Sequence, residues 1–192
     1  MTKSTKKKKE NKMNEMKIKD GFTITDDREL STSYLLQECR DKFPVWCYWE
    51  DEDLDKDFPR PKKATTRYFK KNVEADEENA NKSADDLGKE GNEGITIRER
   101  IIMELQYFEE TGKHLDLDNW TLCAGSRDRG GSVPRACWDV LFRLNWCGPS
   151  GCGPRLRSRS AFNSLPLNLV TLDLEKAIKI CKNNGLKVIK EL

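Results

Sequence analysis

The chain has one histidine, His114, in 192 residues. That scarcity removes the arrangements that set an imidazole beside a nucleophile or gather several on a metal. No window approaches the eighteen or more apolar residues of a membrane span, and the first twenty residues hold no apolar stretch that could be the core of a signal peptide. A soluble, cytoplasmic chain with no membrane partner is therefore expected. Seven cysteines are an odd number, and their spacing is unlike that of small secreted disulfide scaffolds, so reduced thiols are expected.

What is abundant is charge. Asp, Glu, Lys and Arg make up 35% of the chain, and the mean hydropathy is −0.81, so a folded core must be diluted by solvated stretches. The net charge of +2 conceals a division: residues 1–20 sum to +5, 21–94 to −7, 95–123 to −3, 124–160 to +5 and 161–192 to +2. Residues 1–20 carry eight lysines and are expected to form a disordered, basic tail.

Periodicity predicts an α+β protein with a small, mostly antiparallel sheet and two packed helices. Residues 28–40, with Asp26 or Asp27 as cap, suggest a short amphipathic helix ended before Pro44. The run 45–49 is aromatic and β-prone, residues 50–57 read as an acidic loop, and Thr65–Phe69 reads as a strand. Residues 74–94 suggest a weak helix leading into a linker, so the main boundary is placed there: an acidic region, 21–94, before an α/β core domain, 95–192. Within that domain Thr96-x-x-Glu99 fits a capping box, with Ile101, Ile102, Leu105 and Phe108 on one face and Gly112 as stop. Residues 174–184 fit a second helix, flanked by extended segments in a β-α-β unit. Between the helices, Trp138, Val140, Phe142, Leu144 and Trp146 alternate with Asp139, Leu141, Arg143 and Asn145, as a strand with one apolar face would. Arg155, Arg157 and Arg159 alternate likewise with Leu156, Ser158 and Ser160, which predicts a sheet face bearing three arginines.

Chemical motifs are sparse. Cys123, Cys137, Cys147 and Cys152 could supply four thiolates to zinc, but only the last pair approaches knuckle spacing, and incidental thiols are the competing reading. His114 beside Asp116 and Asp118 is the natural place for acid–base chemistry, yet it reads more readily as a surface or half-buried residue of the connection after a helix stop. Residues 125–132 lack the Lys-Ser/Thr ending of a phosphate loop. No catalytic residue, metal or cofactor is assigned. The arginine strand, two tryptophans and the lysine tail also fit a nucleic-acid surface, with a basic sheet edge as the alternative.

From Ala124 to Ser160 there is no Lys, Glu, Gln, Met or Ile, although the rest of the chain holds 22 Lys and 17 Glu. The window instead holds seven of the thirteen Arg, six of the twelve Gly and three of the seven Cys. That exchange suggests a codon process different from that of its surroundings. Together with Gly125-Ser126-Arg127, Gly130-Gly131-Ser132-Val133-Pro134 and Arg155-Leu156-Arg157-Ser158-Arg159, it resembles the variable region of target proteins of diversity-generating retroelements. In that family template adenines are randomised, mostly in Asn codons, which cannot yield Lys, Glu, Gln, Met or Trp. Trp138 and Trp146 would then be fixed scaffold residues. The resemblance implies a C-type-lectin-like frame displaying a binding face from residues 125–159, with Arg127, Asp128, Arg129, Arg135, Asp139, Arg143, Asn145, Arg155, Arg157 and Arg159 as contacts. The expected function is non-enzymatic binding of a protein or other macromolecular ligand, with nucleic acid as the alternative partner.

Overall fold

Local sequence signals place one long helix, and the other described elements are arranged around it. A computed structural model of the chain describes residues 21–26 and 30–163. Helix α4 (Ile97–Thr111) opens with the expected box: the Thr96 hydroxyl accepts from the Glu99 N–H at 3.2 Å, and the Glu99 carboxylate accepts from the Thr96 N–H at 2.8 Å. It closes at Gly112, whose left-handed φ of +66° lets its N–H reach the Phe108 carbonyl at 2.8 Å. Burial extends beyond one apolar stripe, because Arg98, Glu99, Arg100 and Glu104 are buried together with Ile101, Ile102 and Leu105.

Before α4 come strand β1 (Phe22–Asp26), helix α1 (Thr32–Arg40), strand β2 (Val45–Cys47), helix α2 (Asp51–Asp57), strand β3 (Thr65–Phe69), a 3₁₀ turn (Glu77–Asn79) and helix α3 (Ala84–Lys89). After it come β4 (Trp120–Leu122), β5 (Val133–Trp138), β6 (Phe142–Cys147) and β7 (Leu156–Ser158). Strands β1 and β3 form an antiparallel ribbon, Phe22 opposite Phe69. The other five form one sheet in the order β2-β6-β5-β4-β7. Its centre is antiparallel, while β2 runs parallel to β6 and β7 parallel to β4.

A single hydrophobic cluster joins Ile24 and Leu35 to Ile101, Met103, Phe142 and Leu144, so the core runs across residue 94 without interruption. Burying each such side chain contributes about 1.5–3 kcal/mol. A second cluster, Ala84, Leu87, Leu122, Val133 and Leu156, lies where α3 covers one end of the sheet.

The architecture is α+β, as expected, with corrections. The main sheet has five strands and mixed pairing, and four helices lie among the described residues. Ser31, not Asp26 or Asp27, caps α1, accepting from the Tyr34 N–H at 3.2 Å. Asp26 ends β1, where Arg98 grips both its carboxylate oxygens at 2.8 Å. Residues 51–57 are a helix and not a loop, since Asp51, Glu52 and Asp53 crowd its positive N-terminal end and Leu54 is wholly buried. The run 138–146 is a hairpin rather than one strand: β5 and β6 pair from Trp138–Phe142 outward, with Asp139–Leu141 as the turn. The tail at 1–20, the helix at 174–184 and its flanking strands lie outside the described residues. Among the described residues no helix is long and apolar enough to cross a membrane.

Candidate binding face

Paired residues share a face of a sheet, so the register sorts β2, β6 and β5 into inner and outer rows. Phe142, Leu144 and Ala136 face inward and are fully buried. The outer face carries Trp46 opposite Arg143, Arg143 opposite Cys137, and Asn145 opposite Arg135. Trp120, one residue before the Thr121–Ala136 pair, extends the first row. Helix α3 covers the β4–β7 end of this face, and Trp46, at 39% exposure, marks the open end.

Two arginine–tryptophan contacts frame the face. The Arg143 guanidinium lies 5.2 Å from the Trp46 ring centre, and that of Arg135 lies 4.5 Å from Trp120. Each contact is worth about 0.5–1 kcal/mol or more where water is excluded, and it restricts the arginine to few rotamers. Between them, Asn145 Oδ1 accepts from the Trp146 N–H at 2.8 Å. Arg135 Nε is sealed from water with no hydrogen-bond partner.

The structure thus brings together three of the ten expected contacts, Arg135, Arg143 and Asn145, with Asp139 at their margin, 3.9 Å from Arg143 Nη2. The others are elsewhere. Arg127 donates to the carbonyls of Ala124 and Ser126 at 2.8 Å, and Asp128 accepts from Gly130 and Ser132, so both shape the loop they occupy. Arg129 pairs with Asp57 and, at 3.2 Å, with Asp53 on α2. Arg155 donates to the Asp118 carbonyl at 2.7 Å. Arg157 is half-buried, and Arg159 is only 1% exposed. The face of three arginines is therefore not formed. Arg159 turns into the interior because Asp116 and the carbonyls of Asn72 and Val73 wait there for its guanidinium.

Sequence reasoning missed Trp46 and Trp120, which join the face through pairing between distant segments. The aromatic run 45–49 reads as a strand, but its parallel partner is invisible locally. Trp138 packs against Phe43 and stacks on His114, whereas Trp146 is 39% exposed beside Tyr48.

The catalytic alternatives are placed as follows. His114 is stacked between Phe108 and Trp138, and its Nδ1 meets Glu104 Oε1 at 2.9 Å. The thiols do not converge: Cys123 is in the core, Cys137 on the outer row, and Cys152 exposed on a loop. Burial pushes the Cys47 and Cys137 thiols up to about 11, and raises Cys123 further, which disfavours the nucleophilic thiolate. A cleft of about 820 Å³ beside the N-terminus of α4 is lined by Thr96, Arg98, Glu99, Ser126 and Arg127. Most of its charges are already matched, Arg67 with Glu99 and Arg98 with Asp26, while Arg127 donates to the carbonyls of its own loop. Comparison with protein-family models, with curated proteins and with solved structures gives no match.

Proposed function

We propose that this chain is a non-enzymatic binding module whose ligand or protein partner is held on the outer face of β2, β6 and β5. The observation that carries the reading is the convergence of Arg135, Asn145 and Arg143 on one face of a sheet whose opposite face is core. Side chains on a packed sheet lose little freedom on binding, so affinity is spent less on ordering than it would be on a mobile loop. Residues 124–160 carry the resemblance to diversified target proteins, and a C-type-lectin-like use of the frame would vary outward residues while Phe142 and Leu144 stay fixed inside. The nucleic-acid alternative loses support, because Arg159, one of its three strand arginines, is committed to the interior.

Selection of displayed random peptides and small domains against the immobilised chain tests the reading. The counter-screen is Asn145→Trp, which fills the face without touching the core, with Arg143→Glu as a second block. Binders retained by the native chain and lost on both variants support the proposal. Binders indifferent to both, or none at all, would remove it. Sequencing the genomic flanks for a near-copy of codons 124–160 that differs mainly at adenines, beside a reverse-transcriptase gene, tests the resemblance separately.

A further inference from the structure

The outer face presents donors and almost no acceptors. Arg143 has one charged neighbour, Asp139, at 3.9 Å, beyond hydrogen-bond reach. Arg135 donates no hydrogen bond among the described residues, and its Nε is already dry. Asn145 Oδ1 already accepts from the Trp146 N–H, and its amide supplies two further donors. The backbone of β5 and β6 is spent on the sheet ladder, apart from the Trp146 N–H held by Asn145 and the Trp138 N–H held by the Asp116 carbonyl.

We propose that the partner meets this face with carboxylates, carried at alternate positions of an extended acidic segment of another protein. The inference rests on the binding-face reading above. Guanidinium forks match carboxylates in a bidentate fashion, and here the forks lie over Trp46 and Trp120 before any partner arrives. Arg143 and Arg135 are diagonal neighbours across β5 and β6, a relationship that sets backbones about 7–8 Å apart. The forks lean apart, Arg143 towards Trp46 on β2 and Arg135 towards Trp120 on β4, and an extended chain with acids at alternate positions offers carboxylates about 7 Å apart at i and i+2 and about 14 Å apart at i and i+4, which spans them. The local charge agrees, since the face carries two arginines against the single marginal carboxylate of Asp139.

Nucleic acid fits the same donors less well. Single strands gain much of their affinity from bases stacking on aromatic rings, and the guanidinium groups already lie over these two indoles. A backbone track also needs a longer run of free cations. The neighbouring arginines are occupied: Arg129 by Asp57, Arg155 by the Asp118 carbonyl and Arg159 by Asp116.

The test is fluorescence anisotropy of the full chain with a labelled peptide of alternating Glu and Ser, a Gln/Ser control and an oligothymidylate competitor, at low and physiological salt. The Glu peptide is expected to bind and the Gln peptide not to. Arg135→Ala and Arg143→Ala should each weaken binding by about tenfold, while Arg155→Ala leaves it unchanged. Arg143→Lys, which keeps the charge and removes the fork, should lose part of that affinity; thermal unfolding confirms that each variant is folded. Absence of Glu-peptide binding, an equal loss in Arg155→Ala, or displacement by oligothymidylate at lower concentration would each overturn the proposal. Should selected binders depend on Asn145 yet carry no acids, the carboxylate preference falls and the binding face stands. If no ligand depends on the face, both fall.

Discussion

Arg159 Nη2 lies 2.6 Å from Asp116 Oδ1, with both side chains all but sealed from water. Asp116 in turn accepts from Arg100 Nε at 2.9 Å and from the Thr121 hydroxyl at 2.5 Å, and Arg100 reaches Glu104 at 2.7 Å. Burial alone would lower the Arg100 pKa, but the charges of Asp116 and Glu104 outweigh it and raise it. Arg159 is thus a clamp between β7, the 72–73 segment and the connection after α4. Removing Arg159 leaves two buried carboxylates, Asp116 and Glu104, sharing the single guanidinium of Arg100, so one buried negative charge is uncompensated, at a cost of about 3–5 kcal/mol. Arg159→Ala should therefore lose stability of that size in urea unfolding, with Arg155→Ala within about 0.5 kcal/mol of the native chain.

Much of the scaffold was legible because its signals are local. Thr96, Glu99 and Gly112 bound α4 by cap chemistry alone, and Thr65–Phe69 is β-rich enough to stand as a strand. The hairpin at 138–142 was hidden by arithmetic. Trp138 pairs with Phe142, and the three residues between them preserve the parity of the alternation, so the apolar pattern reads straight through the turn. The outward positions of Arg135, Arg143 and Asn145 survive that misreading because parity is unchanged. Arg159 does not, since its partners come from positions 72, 73, 116 and 121, which no local pattern connects to it.

The hairpin tip holds strain that can be measured. Val140 adopts φ +52° and is 82% exposed. A β-branched residue is poorly suited to the left-handed region, and nothing is gained there by burial. Val140→Asn is expected to stabilise the protein by about 0.5–1 kcal/mol, and Val140→Gly by less, because glycine adds entropy to the unfolded chain. Denaturation midpoints with unchanged slopes would establish it; an unstable Val140→Asn would mean that Val140 makes a contact worth more than the strain.

Asp55 ties α2 to the start of α1. Partial burial works to raise its pKa, but hydrogen bonds from the Ser33 N–H at 2.7 Å and the Ser33 hydroxyl at 2.6 Å prevail, and the folded pKa is lowered. A depressed carboxylate stabilises the fold above the unfolded value of about 3.9, and that contribution disappears as the pH falls through the folded pKa. The stability gap between the native chain and Asp55→Asn should accordingly be full at neutral pH and shrink below about pH 4. A gap independent of pH would assign the effect to packing.

Thiol reactivity should follow the same electrostatics. Only the thiolate attacks an alkylating reagent, and a pKa of about 11 leaves roughly one Cys137 or Cys47 thiol in a thousand ionised at pH 8. Cys152 is exposed, whereas Cys39 and Cys123 are wholly buried with pKa values raised by desolvation. Timed iodoacetamide labelling of the native chain, read by peptide mass spectrometry, is expected to modify Cys152 first, then half-buried Cys47 and Cys147, then Cys137, which is 4% exposed, and Cys39 and Cys123 only on unfolding. The Cys137 rate should rise about tenfold per pH unit up to about pH 11, since each unit multiplies the thiolate tenfold. Because Cys137 sits beside Arg143 on the outer row, a ligand seated on that face should slow its labelling while leaving Cys152 unprotected. Equal protection of both would place the ligand on the 148–154 loop instead.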